Sequence, residues 1–316
     1  MSSIARIENS LLAAVAGSIG PGCPPKLAAA VRHAVFPGGA RIRPQLCLAV
    51  ARACGDDQPV LADAAAVAVE LLHCASLVHD DLPCFDDAPT RRGQPSVHSA
   101  FGERLAVLTG DALIVMSSQV LAQAGSAAPD RALQIMQTIG SGVGMPGGIV
   151  AGQAWECEPR VTLREYQRLK TGALFTAATV SGAQAAGGDA EAWRALGDCL
   201  GEAYQVADDI RDVIEDPEHL GKPIGQDVAL GRPSVATEQG LDAAMRHTSC
   251  GSALCQALFP CLQVVRRVAS GPACDVCEDE CAFQQGSQSL PYASVWNSNG
   301  RVLDCVDTCS AIEARL

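Results

Sequence analysis

Two acidic clusters contain the residue types in this sequence that are best suited to metal and phosphate chemistry. Residues 79–92 read HDDLPCFDDAPTRR, and residues 205–216 read QVADDIRDVIED. Carboxylates this dense repel one another unless they are exposed or neutralised by cations. Mg²⁺ is usually held by one or two carboxylates, several waters and substrate phosphates. The guanidinium groups of Arg91 and Arg92 suit phosphate oxygens, so the pattern predicts a site for a Mg²⁺-bound diphosphate.

The pairing of the clusters is more informative than either cluster alone, because a single acidic run is usually a solvated helix end. The two runs lie 128 residues apart, and each lies at or near the end of an apolar helical stretch. Asp208 and Asp212 are four residues apart and therefore share one helix face. We interpret the two clusters as parts of one site.

The first cluster needs a break in its helix. Asp80, Asp81 and Asp86 cannot all lie on one face of an unbroken helix, because Pro83 interrupts it. We predict a turn over residues 82–85 that returns Asp86 towards Asp80.

The elements that must position these groups are helices. From residue 4 to about residue 240, Ala and Leu dominate and short Gly/Pro segments separate long helical stretches. Residues 61–79, 101–124 and 192–214 are rich in good helix formers. Alternating β-branched runs are nearly absent. The pattern predicts an all-α domain of about ten or more helices.

Composition excludes several classes of protein. Apolar residues make up 48% of the chain, which excludes general disorder. The net charge is −12 and no basic block is present, so no nucleic-acid partner is expected. No uninterrupted apolar run reaches the ~18 residues of a membrane span. The short apolar stretch at residues 11–19 fits a first amphipathic helix better than a signal peptide, so we expect a cytoplasmic protein.

The cysteines mark an internal boundary. Seven are scattered singly before residue 250 and fit small buried hydrophobes: Cys23, Cys47, Cys54, Cys74, Cys84, Cys157 and Cys199. The other eight crowd the end of the chain, so we divide it into a domain at 1–246 and an atypical Cys-rich tail at 247–316. Cys274, Cys277 and Cys281 have zinc-like spacing. The simpler interpretation is a loosely ordered tail without a site, either lineage-specific or produced by a shifted reading frame.

The motifs together resemble those of the trans-isoprenyl diphosphate synthases. DDLPCFDD followed by RR, and DDIRD followed by GKPIGQD, are similar to the family's two aspartate-rich motifs. FPGGARIRP is similar to its GGKRxRP segment, and AGQAWE resembles GQxxD with Glu156 at the acidic position. The resemblance covers about residues 5–245 and implies a helical isoprenoid synthase bundle around a central cavity.

The resemblance implies that an allylic diphosphate ionises and that the double bond of isopentenyl diphosphate attacks the resulting cation. It implies about three Mg²⁺ per active site, with ligands or supporting groups at Asp80, Asp81, Asp86, Asp208, Asp209 and Asp212. The residues implied around the leaving diphosphate are Arg91, Lys170 and Lys222. Those implied beside the cation are Thr171 and Gln205.

Isopentenyl diphosphate is the second substrate that the resemblance implies, with Arg43, His73 and Arg92 as its ligands. Ala40 stands where the family usually has Lys, and Arg41 is the candidate to compensate for that missing cation. Ala75 and Ser76 lie about one helical turn before Asp80, where farnesyl-producing relatives tend to have an aromatic floor. Two small residues there favour a longer product chain.

The reading that results is a homodimeric, Mg²⁺-dependent prenyltransferase whose product is geranylgeranyl diphosphate. The alternatives are a farnesyl diphosphate synthase and a non-catalytic partner subunit. A class I terpene cyclase is disfavoured because the chain has few aromatic residues and carries a second aspartate motif.

Overall fold

The computed structural model describes residues 2–36, 38–159 and 162–214, and the backbone at 295–296 and 302–303. The helices in these residues are α1 (Ser3–Ser18), α2 (Pro25–Val35), α3 (Ile42–Ala53), α4 (Pro59–Asp80), α5 (Val97–Phe101), α6 (Glu103–Ala124), α7 (Pro129–Val143), α8 (Ile149–Ala154), α9 (Leu163–Gln167), α10 (Ala173–Ala185) and α11 (Arg194–Ile214). The all-α prediction is confirmed.

Shorter elements connect the helices. One-turn 3₁₀ segments lie at Gly125–Ala127, Trp155–Cys157 and Ala190–Trp193, and a π turn spans Arg168–Gly172. The two-residue strands are β1 (Thr90–Arg91), β2 (Gln94–Pro95), β3 (Val295–Trp296) and β4 (Val302–Leu303), paired antiparallel as β1 with β2 and β3 with β4.

Helix α4 is the central helix of the bundle. It packs against α6, α3 and α10. Pro59 lies in its first turn, where the missing N–H is not needed. Most of its residues from Leu61 to Val78 are buried, and an Ala-rich helix that is apolar on all sides suits a core position. This helix ends at Asp80 and so carries the first acidic cluster to the edge of the core.

The N-terminal helix packs as predicted. In α1 the buried residues are Ile7, Leu11 and Val15, spaced four apart, which is the pattern of an amphipathic helix with one apolar stripe. Arg6 ties this helix to the start of α4 through hydrogen bonds to Asp63 at 2.6 Å and to the carbonyl of Pro59 at 2.9 Å.

Two helices in the described residues are long and apolar enough to cross a bilayer, judged by length and composition alone. One is α4, whose most apolar window is 72% buried inside the bundle. The other runs from Glu103 to Ala127, and its window is only 39% buried. The sequence reading required an uninterrupted apolar run and so missed helices whose apolar residues are separated by a few polar ones.

The cysteine reading was only partly right. Cys47 and Cys74 are buried, and burial raises the pKa of each thiol to about 12, so both behave as small core residues. Cys84 and Cys157 are exposed, contrary to the prediction. The boundary at 246 and the cysteines of the tail lie outside the described residues, so the division of the chain stays a prediction.

Candidate active site

The first acidic cluster folds into a tight turn directly after α4. The backbone N–H of Asp86 donates to the carbonyl of Asp80 at 2.9 Å, and the N–H groups of Phe85 and Asp87 donate to the carbonyl of Leu82. The chain therefore doubles back, and Asp86 returns to the end of α4 where Asp80 lies. The turn predicted over residues 82–85 is confirmed.

Asp81 and Arg91 form a buried pair beside this turn. Both Nε and Nη2 of Arg91 donate to Oδ1 of Asp81, with the Nε distance at 2.8 Å. Burial raises the pKa of Asp81 to about 6, although Arg91 opposes the shift, and the carboxylates of Asp80 and Asp86 raise it further. Nη2 of Arg91 also lies 4.0 Å from Oδ2 of Asp80. Asp81 therefore holds the Arg91 guanidinium next to Asp80, the first candidate metal ligand.

Lys170 approaches the same aspartate from the opposite direction. Its Nζ lies 3.8 Å from Oδ1 of Asp80 and 2.5 Å from Oε1 of Glu156. The amide of Gln153 donates to Oδ1 of Asp80 at 2.5 Å. Asp80 therefore faces two cations, Lys170 and Arg91, across one small space.

The π turn at 168–172 links this space to the second acidic cluster. The hydroxyl of Thr171 donates to the side-chain carbonyl of Gln205 on α11, one turn before Asp208. Glycines allow the close approach: a Cβ on Gly152 of α8 would collide with the backbone of Lys170, and one on Gly201 of α11 with that of Gly172. Thr171 and Gln205 are thus brought together as the sequence predicts.

A second group of cations surrounds Arg43, at the start of α3. Its guanidinium lies over the ring of Phe175 at 4.4 Å and that of Tyr204 at 5.5 Å, and its Nη1 lies 3.4 Å from Nε2 of His73. Within the described part of the chain, the buried Nε of Arg43 has no hydrogen-bond partner. Burial lowers the pKa of Arg43, and the carboxylate of Asp208 acts in the opposite direction.

His73 is neutral in this setting. Burial lowers its pKa well below the usual value, and Arg43, Arg92 and Arg91 add like charge that lowers it further. The neutral imidazole adds no charge of its own beside the guanidiniums of Arg43 and Arg92. The arrangement suits an anionic ligand such as a diphosphate.

The side chain of Arg92 packs against two consecutive glycines, Gly38 and Gly39, in the loop at residues 38–41. Its Nη1 donates to the carbonyl of Gly38, and a Cβ on Gly39 would collide with its guanidinium. Gly39 also has a φ of 141°, a backbone conformation that glycine adopts readily. The loop therefore places Arg92 close to its backbone, with Arg43 just beyond it in α3.

Arg41 does not point towards this group, which corrects the expectation that it compensates for Ala40. Its side chain is 1% exposed, and it donates to Glu8 at 2.8 Å, Glu70 at 2.5 Å and the carbonyl of Val35 at 2.7 Å. These contacts hold Arg41 in a left-handed conformation, with a φ of 48°. No local sequence pattern indicates this pairing, because Glu8 and Glu70 lie far from Arg41 along the chain.

The chain-length candidates lie on α4 as expected. Ala75 is 2% exposed, and the hydroxyl of Ser76 donates to the carbonyl of His73 at 2.8 Å. Other predicted residues are less completely described. Asp209 and Asp212 belong to α11, but their side chains lie outside the described part of the structure, and Lys222 lies outside it entirely.

The donor set fits Mg²⁺ held jointly with a substrate. Among the described residues, no three His, Cys, Asp or Glu side chains gather closely enough to hold a metal by themselves. Mg²⁺ seldom uses such an all-protein cage and is usually bound by one or two carboxylates together with water and phosphate. Asp80 and Asp86, with Lys170 and Arg91 nearby to meet phosphate charge, match that mode.

Similarities to known proteins agree with this geometry. A sequence model described as polyprenyl synthetase matches residues 24–257. A geranylgeranyl diphosphate synthase of Cereibacter sphaeroides is 58% identical over 242 residues, covering 77% of this chain and 84% of the relative. A geranylgeranyl diphosphate synthase of Rhodobacter capsulatus is 53% identical over 247 residues, covering 78% of this chain and 86% of the relative.

A solved structure shares the fold. The geranyltransferase of Helicobacter pylori, crystallised with magnesium and isoprenyl diphosphate, is 28% identical with a TM-score of 0.71, covering 84% of this chain and 94% of that one. Because the sequence model covers most of the chain and the two relatives far exceed 30% identity, this chain belongs to the polyprenyl synthetase family.

Proposed function

We propose that this protein is a Mg²⁺-dependent prenyltransferase that condenses isopentenyl diphosphate with an allylic diphosphate to make geranylgeranyl diphosphate. The observation that carries the proposal is the presence of two separate cationic groups. One consists of Lys170 and Arg91 around Asp80, and the other is centred on Arg43. Two diphosphate substrates need two such groups. The similarity to two geranylgeranyl diphosphate synthases supports the choice of product.

The first group binds the allylic diphosphate. Asp80 and Asp86, with Asp81 in support, would hold Mg²⁺ from one wall, and Asp208 would hold it from the other, with Asp209 and Asp212 ordering that side through water. Three ions are proposed per site. Bound Mg²⁺ supplies Lewis-acid neutralisation of the leaving group's charge. Lys170, Arg91 and Lys222 add hydrogen bonds that strengthen as the diphosphate departs.

The second group binds isopentenyl diphosphate. Arg43, Arg92 and His73 hold its diphosphate, which orients its double bond towards the allylic carbon. Thr171 and Gln205, bonded to each other where the two walls meet, present oxygen atoms to the developing cation. The proton lost afterwards passes to the departed diphosphate, so no side-chain nucleophile is needed.

We expect the growing chain to run along α4 past the small side chains of Ala75 and Ser76, where an aromatic side chain would stop it. The test is product analysis by mass after incubation with isopentenyl diphosphate and dimethylallyl, geranyl or farnesyl diphosphate. A twenty-carbon product supports the proposal, and Ala75→Tyr should shift it to fifteen carbons. A fifteen-carbon product from the unaltered protein would identify a farnesyl diphosphate synthase. The absence of any product would indicate a non-catalytic subunit.

Loss of a metal ligand tests the first group directly. Asp80→Ala should lower kcat by ~10²–10³ by removing charge stabilisation at the leaving group. Asp130→Ala removes an exposed aspartate in the first turn of α7 and serves as the control. Near-normal turnover of the Asp80 variant at saturating Mg²⁺ would overturn the assignment.

A second copy of this chain covers the exposed face of α6. That face carries Val107, Leu108, Ile114 and Val115, which are 40–55% exposed. Asp111 lies among them and is also exposed. A carboxylate in the middle of the patch disfavours a lipid neighbour and fits a protein interface with some polar contacts. The assembly is therefore a homodimer, in the cytoplasm.

The dimer is tested by the mass of the protein in solution. Val115→Glu should convert a dimer to a monomer in size-exclusion chromatography with light scattering. Val60→Glu alters another exposed valine, 68% exposed on α4, and should leave the dimer intact. A monomeric unaltered protein would refute this part of the proposal.

A further inference from the structure

The segment that follows Gly148 reaches the leaving-group site with two side chains three residues apart. Gln153, on α8, donates to Asp80. Glu156, on the next 3₁₀ turn, accepts from Nζ of Lys170 at 2.5 Å and from the hydroxyl of Tyr166 at 2.6 Å. Glu156 thus contacts Lys170, the cation that lies beside the predicted metal ligand Asp80.

Lys170 has two carboxylates within reach. Its Nζ is 2.5 Å from Glu156 and 3.8 Å from Asp80, and all three side chains are largely buried, with 13–21% exposure. Ion pairing strengthens at short distance and in surroundings of low dielectric. The Lys170 ammonium is therefore attracted more strongly to Glu156 than to Asp80.

Removing Glu156 would change that balance. Of the two carboxylates near Lys170 in the described part of the structure, Asp80 would remain, and its side chain is already within salt-bridge distance of the ammonium. An ammonium on Asp80 competes with Mg²⁺ for the same oxygens.

We propose that Glu156 is a positioning residue that holds Lys170 off Asp80, so that the carboxylate stays accessible to Mg²⁺ and the ammonium to the leaving diphosphate. Tyr166 fixes the Glu156 carboxylate by its hydrogen bond. The proposal rests on the proposed function, because it assigns Asp80 to metal and Lys170 to diphosphate.

The test is metal binding by Glu156→Gln, which keeps the size and the acceptor for Tyr166 but loses the charge. Mn²⁺ is titrated into the protein with inorganic diphosphate, and free Mn²⁺ is followed by electron paramagnetic resonance. We expect binding about fivefold weaker, a size typical of coupling between neighbouring groups. Glu158→Gln removes the same charge from an exposed position two residues away and should bind as the unaltered protein does.

A double variant separates this role from a structural one. In a Lys170→Gln background the ammonium that Glu156 holds is gone, so adding Glu156→Gln should weaken Mn²⁺ binding no further. Glu156→Asp keeps the charge and should restore binding, which also keeps the test usable if Glu156→Gln folds poorly. Equal losses with and without Lys170, or unchanged binding by Glu156→Gln, would overturn the proposal.

The outcome is independent of the product assay. If the unaltered protein makes no prenyl diphosphate, the proposed function fails, while the Mn²⁺ titration still reports whether Lys170 competes for Asp80. If product forms normally and the titration shows no coupling, only the role of Glu156 fails.

Discussion

Arg41 and Arg43 lie two residues apart and are both buried, yet their surroundings are opposite. The Arg41 guanidinium contacts the carboxylates of Glu8 and Glu70 and a backbone carbonyl. The Arg43 guanidinium lies on two aromatic rings, and within the described residues its Nε has no hydrogen-bond partner. The first charge is neutralised by the protein, whereas the second is held ready for a ligand.

The contrast shows how a fold can keep a buried cation for substrate. Desolvating an ion costs several kcal/mol, which carboxylate partners offset at Arg41. Aromatic rings return only about 0.5–2 kcal/mol at Arg43. The binding of an anion therefore relieves a cost already present in the folded protein at Arg43, and no such relief is available at Arg41.

Breaking the neutralised pair should have the largest effect on stability. Arg41→Met leaves Glu70, whose side chain is 2% exposed, as an unpaired buried charge. We expect a loss of about 3–5 kcal/mol. For a chain of this size that lowers Tm by roughly 6–20 °C, measured by thermal unfolding. An unchanged Tm with a raised KM for isopentenyl diphosphate would instead place Arg41 in the substrate site.

Removing the reserved cation should change substrate binding more than stability. Arg43→Gln should raise KM for isopentenyl diphosphate by ~10–100-fold, the range expected for a lost hydrogen bond to a charged group. Tm should change less than for Arg41→Met, because the carboxylates of Glu70 and Asp208 only partly offset the burial of the Arg43 charge. Arg43→Lys keeps the charge but loses the planar stacking, so its KM for isopentenyl diphosphate should lie between those of the unaltered protein and Arg43→Gln. A drop in Tm like that of Arg41→Met would erase the contrast.

Adding a third cation beside Arg43 and Arg92 should change KM for isopentenyl diphosphate by a smaller amount. Ala40 is exposed next to Arg41, and its carbonyl accepts a hydrogen bond from Gln45. Ala40→Lys should lower KM for isopentenyl diphosphate by about two- to fivefold, since an exposed charge is screened by water. Ala40→Gln is the neutral control. Equal KM values for the two variants would show that position 40 does not face the substrate.

The smallest effect should come from the pH dependence of stability at His73. Its folded pKa lies below the unfolded value, so the unfolded chain binds a proton that the folded chain does not as pH falls below about 6.5. His73 therefore lowers the free energy of unfolding by at most ~1.4 kcal/mol per pH unit in that range, and not above it.

Urea unfolding at pH 7.5 and 5.5 measures this contribution. Between pH 7.5 and pH 5.5, the free energy of unfolding should fall less in His73→Gln than in the unaltered protein. Saturating isopentenyl diphosphate should shrink the difference, because an anion among the arginines favours the protonated imidazole. Identical pH profiles for the two proteins would mean that His73 is not held neutral.

Much of the fold was predictable because it depends on local signals. The spacing of Ile7, Leu11 and Val15 indicated α1, and Pro83 within an acidic run indicated the turn that follows α4. Helix periodicity and proline geometry act over a few residues, so a single sequence displays them directly.

The contacts that define the site's electrostatics were not predictable in the same way. Arg41 pairs with residues 33 and 29 positions away, and Lys170 pairs with Glu156 across 14 positions. The sequence RLKTG also gave no sign of a π turn, which depends on the close packing of Gly152 and Gly201 against it. Such features depend on which surfaces the tertiary fold brings together.

Helix α4 has a consequence for how enzymes of this design can change over evolution. His73, Ala75 and Asp80 lie on one rigid helix, and His73 and Asp80 are separated by two turns, about 10.5 Å. Inserting or deleting one residue between them would rotate Asp80 by ~100° relative to His73 and separate the two substrates' sites. On the proposed assignment of these residues, product length can change by exchange of side chains along α4, while the number of residues between His73 and Asp80 must stay the same.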